Sequence, residues 1–291
     1  GTGWDPKSPA SIHTGRAAID KDGKVIAWDY ATKAFSRREF FRDEGSPERT
    51  LAGQLTGWPL KPVWLMGVPG ESYGFAAKRK TSDTIAPLLD RASPLRTSHF
   101  RDPGGPQIHF GSESFMDELA AATNMDAVEF RLRYLTHPRD KDAVRIAAEK
   151  AGWQKRVSPR KDIDTSADVV EGRGIAYRRH FDTFIAVVAE VRVPRKTGLV
   201  HPPRLVCAHD VGLIVNPETL RHVIERQLVY GTGRTTVEEL TWDRNMVTSL
   251  DWQTYPVLHM QHVPPRIDIH LIERPEAAPS GAAEMALGLV P

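Results

Sequence analysis

The sequence predicts an α+β fold, with helices and strands grouped and not strictly alternating. Three observations predict it. Two short apolar runs between Ile12 and Ala34 flank Asp22-Gly23, a stretch from Ser112 to Gly152 carries helical periodicity, and strand-like runs return from Gly174 with one amphipathic helix among them. The chain has 291 residues, 40% of them hydrophobic, enough to bury a sizeable core and too many for a disordered segment.

Asp22-Gly23 between strand-like runs marks a hairpin, because a tight primed turn needs positive φ. From Ser36 to Ser98 the pattern degrades into Pro, Gly and charged residues with scattered tryptophans, Trp58 and Trp64, and reads as a long irregular excursion. Ser112 to Thr123 places Phe115, Leu119 and Ala122 on one helical face. Asp126 opens a second helix with a capping-box pattern running to Leu135, and a third, Asp140 to Gly152, ends on glycine. A charged Pro/Ser/Asp stretch, 153–171, is the expected boundary between two subdomains, residues 1–152 and 172–291. Beyond it, Gly174–Phe181, Phe184–Val193 and Leu205–Ala208 read as strands. Asn216-Pro217 caps a helix whose Leu220, Val223, Ile224 and Leu228 share a face, and Asn245–Ser249 and Ile267–Ile272 read as further strands.

Charge and cysteine content remove several function classes. The 39 basic residues against 37 acidic ones leave a net charge of +2, which gives no support for sequence-independent nucleic-acid binding. The single cysteine, Cys207, excludes an internal disulfide framework, a CxxC redox pair, a multi-cysteine zinc site and any cysteine-held iron–sulfur cluster within this chain. The 11 histidines show no HxH or HExxH spacing, so no protein-ligated metal is expected. No apolar run approaches ~18 residues, so no membrane span is expected. The chain begins at Gly1 and stops at Pro291 inside an apolar, small-residue stretch, and is expected to be a fragment.

Three clusters carry candidate chemistry. Phe100-Arg101-Asp102-Pro103-Gly104-Gly105-Pro106-Gln107 precedes a helix; paired glycines let backbone approach a ligand and a helix entrance favours anions, although Pro-Gly-Gly-Pro is also ordinary turn punctuation. In Cys207-Ala-His-Asp-Val-Gly-Leu-Ile-Val-Asn-Pro, His209 and Asp210 point to opposite faces of a strand, which favours a loop-holding role for Asp210 over a His–Asp catalytic pair. In Pro279-Ser-Gly-Ala-Ala-Glu284-Met-Ala, a carboxylate among small apolar residues is placed to act as a general base; capping a helix or facing solvent is the alternative.

Taken in order, these clusters resemble the molybdopterin-binding large subunit of the xanthine oxidase family, in particular the isoquinoline 1-oxidoreductase β-subunit type that includes aldehyde and nicotinate dehydrogenases. RDPGGPQIHFGSESFMDELAAATNMDAVEFRLRYL, GRGIAYRRHFDTFIAVVAEV, AHDVGLIVNP and VTSLDWQTYPVL carry the resemblance from Arg101 onward. It implies the molybdopterin-binding domain of the aldehyde oxidase/xanthine dehydrogenase type, with mixed sheets and packed helices, incomplete at the C-terminus.

The resemblance also implies function. Phe100, Arg101, Gly104, Gly105, Gln107, Gly281, Ala282 and Ala283 would line a molybdenum–molybdopterin cytosine dinucleotide site, and Glu284 would be the catalytic base. The reaction would hydroxylate an N-heteroaromatic or aldehyde carbon of a small molecule with water-derived oxygen. Electrons would leave through 2Fe–2S clusters on a separate small subunit, and the upstream half of the large subunit would complete the site. Three departures from the family pattern, Val223 and Arg226 in the helix and Met285 beside the base, leave a second reading: a degenerate or truncated non-catalytic homologue serving as a scaffold or subunit-contact module. Pro103 stands where xanthine oxidases carry a substrate-stacking phenylalanine, which argues against a purine substrate.

Overall fold

The computed structural model describes residues 7–36, 47–49, 51–58, 67, 69, 72–85, 97, 100–164, 166–282 and 284–291. Two sheets and a layer of helices build it. In the first sheet β1 (Ser11–Ile19) and β2 (Val25–Phe35) form the predicted antiparallel hairpin, with Gly23 at φ +73 in its turn. β2 turns Val25, Trp28, Tyr30, Thr32 and Ala34 inward, and Trp28 stacks on both Tyr30 and Phe75.

A short helix α1 (Leu51–Leu55) and a strand β3 (Ala77–Ile85) fall within the segment expected to be irregular. β3 pairs parallel to β2 in an unbroken register from Ala27↔Ala77 to Phe35↔Ile85. Its sequence, AKRKTSDTI, has no apolar alternation, because the strand is held by its backbone ladder and shows mostly polar side chains to solvent. Trp58 is exposed, and Trp64 lies outside the described residues.

Helix α2 (Gly105–Ala122) starts seven residues before the sequence pattern suggests. Proline is tolerated in a first helical turn, so Gly105, Pro106 and Gln107 belong to the helix and not to the loop before it. α3 (Ala127–Tyr134) is capped by Asp126, whose side chain accepts from the Val128 and Glu129 amides; α4 (Pro138–Ala151) closes on Gly152.

The second sheet runs β4 (Val169–His180), β5 (Thr183–Pro194), β6 (His201–Asp210), β7 (Arg266–Ile272), with the last pair parallel and the others antiparallel. The central strands β5 and β6 are buried on both faces. Phe184, Ala186, Val188, Val206 and Ala208 join the core with α3, α4 and the first sheet; Ile185, Val187, Leu205 and Cys207 face α5 (Pro217–Thr236) through its Ile224 and Leu228. Ala286 and Leu289 complete that second core. The expected strand at Asn245–Ser249 is not formed. A single bridge, Trp242↔Val247, closes a turn in which Asp243 accepts from the Asn245 and Met246 amides instead.

A buried ion pair ties the layers together. Arg131 on α3 donates to the Glu113 carboxylate at 2.9 Å and to Asp117 at 2.6 Å, while Glu113 also accepts from the Tyr73 hydroxyl and from the Tyr177 amide on β4. Burial pushes Glu113 up in pKa despite the pull of Arg131. Among the described residues no helix is long and apolar enough to cross a membrane.

Candidate functional site

The glycine-rich loop folds around a charge. Asp102 has positive φ, 55°, and is only 3% exposed, a conformation and a burial that need compensation. Arg178 on β4 supplies it through two parallel hydrogen bonds, 2.6 and 3.0 Å, the strong bidentate geometry of guanidinium and carboxylate. Gly105 and Gly288 both press against this pair: a Cβ on either would overlap the Asp102 carboxylate. The close approach that the two glycines permit is thus filled, at Gly105, by the protein itself.

The segment carrying Glu284 is braced at nearly every residue. Ser280 N–H donates to the Val211 carbonyl, the Thr183 hydroxyl donates to the Gly281 carbonyl at 2.6 Å, and the Gln227 side-chain amide donates to the Ala282 carbonyl. The Ala286 N–H returns to Gln227 Oε1 at 2.7 Å, and Arg178 Nη1 lies 3.4 Å from the Met285 carbonyl. A 3-10 turn, Leu287–Leu289, then buries its apolar side chains. Glu284 itself is half-buried, and its carboxylate makes no hydrogen bond among the described residues. Gly281 is exposed and has open space where a side chain would stand. Ala283 lies outside the described residues.

Phe100, Arg101 and Gln107 gather elsewhere. Arg234 of α5 sits over the Phe100 ring at 4.9 Å, donates to the Arg101 carbonyl at 2.7 Å and reaches Ser8, which also accepts from the Gln107 amide. A groove of about 540 Å³ opens beside them, lined among others by Phe100, Arg234, Trp252 and Tyr255. Glu284 does not line it. The two motif segments therefore meet through the chain Asp102–Arg178–Met285, and not around that groove.

Asp210 takes the loop-holding role its position suggested. It accepts from Arg139 at 3.0 Å, Arg274 at 3.3 Å and the Gly212 amide at 2.9 Å. Burial pushes its carboxyl up, but these donors hold it below the usual carboxylate range. His209 faces the other side of the sheet, fully buried, with neither ring nitrogen partnered among the described residues. Burial pulls its pKa down to about 3, so it is neutral. No group of three or more His, Cys, Asp or Glu among the described residues could hold a metal ion.

Residues 114–264 match the family described as "Molybdopterin cofactor-binding domain". The chain belongs to this family. Among similar proteins, a nicotinate dehydrogenase subunit of Pseudomonas putida is 33% identical over 296 aligned residues, covering 97% of this chain and 23% of that protein. The beta subunit of isoquinoline 1-oxidoreductase of Brevundimonas diminuta is 31% identical over 205 residues, covering 68% of this chain and 25% of that protein. The chain thus spans about a quarter of the length of these curated relatives. Its fold is shared with the crystal structure of the aldehyde oxidoreductase from Desulfovibrio desulfuricans, at a TM-score of 0.70 and 17% identity, over 97% of this chain and 46% of that one. The expected molybdopterin-binding, α+β architecture is therefore the one present.

Sequence reasoning singled out the glycine loop and Glu284, on either side of the matched residues 114–264, but missed the residues within them that hold the two segments, Arg178 and Gln227. Gln227 did leave a signal: it is a polar residue on the buried stripe of α5, between Ile224 and Leu228. Arg178 left none, since nothing about its place on β4 distinguishes it from its neighbour Arg179.

Proposed function

We propose that this chain contributes one wall of the active site of a molybdenum-dependent hydroxylase acting on an N-heteroaromatic or aldehyde carbon, with Glu284 as the general base. The observation that carries the reading is the contrast within one loop: a backbone braced at positions 280, 281, 282, 285 and 286, presenting a carboxylate that no described residue occupies. Buried carboxylates elsewhere in the described residues are each engaged: Asp102, Glu113 and Asp210 by arginine, Asp126 by backbone amides and the Trp153 indole, and Asp140 by the Ser72 hydroxyl.

The residues fit a molybdopterin cofactor as one side of its site. Gly281 leaves room for close approach, and Gly281 and Ala282 put a small-residue backbone just before the base; Ala283, which the same reading includes, lies outside the described residues. Phe100, Arg101, Gly104 and Gln107 belong to the same reading as the second contact region, and the cytosine dinucleotide form of the cofactor goes with it; Gly105, expected to join them, has its open side taken by the Asp102 carboxylate. When bound, the cofactor supplies the oxygen-transfer and two-electron chemistry. The protein's part is to take up a proton at the half-buried Glu284 carboxylate. Cys207 is this chain's one thiol and is buried, so an iron–sulfur path for the electrons lies outside this sequence; the reading gives it to a partner subunit and gives closure of the site to the remainder of the large subunit.

The test uses the full-length large subunit, assembled with its iron–sulfur partner. Glu284→Gln removes the base and keeps its size; turnover is expected to fall by roughly 10²–10⁴ with molybdenum and pterin content retained. Unchanged turnover would reject Glu284 as the base. Wild-type protein free of molybdenum, under conditions that load a known relative, would instead leave the scaffold reading standing.

A further inference from the structure

We propose that Gln227 is the positioning residue of Glu284: one buried amide on α5 clamps the backbone two residues before the carboxylate and two residues after it. The proposal rests on the reading of Glu284 as the base and adds how that base is held. Gln227 is 1% exposed; its Nε2 donates to the Ala282 carbonyl and its Oε1 accepts from the Ala286 N–H at 2.7 Å. A proton-accepting group must be fixed to within about 0.5 Å to work, and Glu284 has no side-chain hydrogen bond of its own among the described residues to fix it. Its geometry is therefore inherited from the loop.

The clamp is mounted on a rigid element. α5 is capped by the Asn216 side chain on the Thr219 amide, and Ile224 and Leu228, flanking Gln227, are fully buried in the core. The other braces each hold one side of Glu284: Thr183 holds Ser280 and Gly281 before it, and Arg178 approaches Met285 after it. Among the described residues, Gln227 alone spans Glu284. The task selects an amide, because it needs one donor and one acceptor side by side: an ionised carboxylate offers only acceptors, and an aliphatic side chain offers neither.

That requirement gives a test with a pH signature. In Gln227→Glu a protonated carboxyl can donate to Ala282 and accept from Ala286 as the amide does, whereas the ionised form turns an acceptor toward the Ala282 carbonyl. In the assembled enzyme this variant is expected to keep near-wild-type kcat at low pH and to lose it about 100-fold as pH rises, with KM little changed, the size of loss that a misplacement of ~1 Å produces. Gln227→Leu is expected to lose kcat by a similar factor at every pH, and to raise amide hydrogen exchange in the 280–288 peptide at least tenfold.

A kcat–pH profile for Gln227→Glu that superimposes on wild type, or unchanged exchange at 280–288 in Gln227→Leu, overturns the clamp. The exchange readout does not depend on turnover. Raised exchange together with full activity of Glu284→Gln would overturn the base reading and the catalytic part of this proposal, while leaving the amide as the anchor of the loop.

Discussion

Arg178 grips Asp102 with both terminal nitrogens, at 2.6 and 3.0 Å, across 76 residues of sequence, and the nitrogen making the shorter bond also lies 3.4 Å from the Met285 carbonyl. One guanidinium thus joins the glycine-rich loop to the segment bearing Glu284, from a strand to which neither belongs.

Removing that cation strands a carboxylate. Arg178→Met is expected to cost about 3–5 kcal/mol, the usual penalty for leaving one member of a buried ion pair alone, read as a shift in the urea midpoint. Gly105→Ala is expected to act in the same direction, because its methyl would displace the Asp102 carboxylate from Arg178. A midpoint unchanged in both variants would contradict a buried, bidentate pair.

Two glycines, one packed on the chain at Ala278 and one in the segment before Glu284, separate stability from binding. Gly212 has φ +74, and a Cβ there would collide with the Ala278 backbone carbonyl, which cannot swing aside as a side chain end can. Gly212→Ala is expected to destabilise by about 1–3 kcal/mol. Gly281 has neither constraint, so Gly281→Ala is expected to leave the melting temperature within a few degrees of wild type, yet to reduce molybdenum and pterin content if that edge faces the cofactor. Full loading of Gly281→Ala would remove Gly281 from the cofactor contacts.

His209 predicts an acid limb. Its pKa is about 3 in the folded chain against 6.5 when exposed, so below about pH 6.5 the unfolded state binds a proton that the folded state refuses. The stability present above pH 6.5 is lost as pH falls toward 3, at close to 1.4 kcal/mol per pH unit for this one group. His209→Leu is expected to flatten the stability profile between pH 6 and 4 in urea titrations; an unchanged slope would mean that other groups set it.

What could be read from the sequence was what neighbours in the chain decide. Asp22-Gly23, the Asp126 cap, Gly152 and Asn216-Pro217 are each local signals, and each marks a hairpin or helix end that the structure contains. β3 was hidden because a ladder to β2, and no side-chain pattern, makes it a strand. The start of α2 was hidden because Gly-Pro-Gln satisfies a turn as well as a first helical turn. At the site the division is the same. Motif resemblance pointed to the Phe100–Gln107 cluster and Glu284, whereas Asp102–Arg178 and Gln227–Ala286 bring together residues 76 and 59 positions apart, which no periodicity encodes.

The parallel pairing of β7 with β6 has a consequence for assembly. Residues 211–265 must close as one crossover, with α5 inside it, before β7 can lie against β6, and the Glu284 segment follows β7. The β1–β2 hairpin and the β4–β5–β6 meander need only near neighbours; the crossover carries a loop-closure entropy that the completed core must offset. Gln227, inside the crossover, and the loop it grips, beyond β7, lie on opposite sides of that last strand in the chain, so the shape of the loop around Glu284 is a product of the same long-range closure.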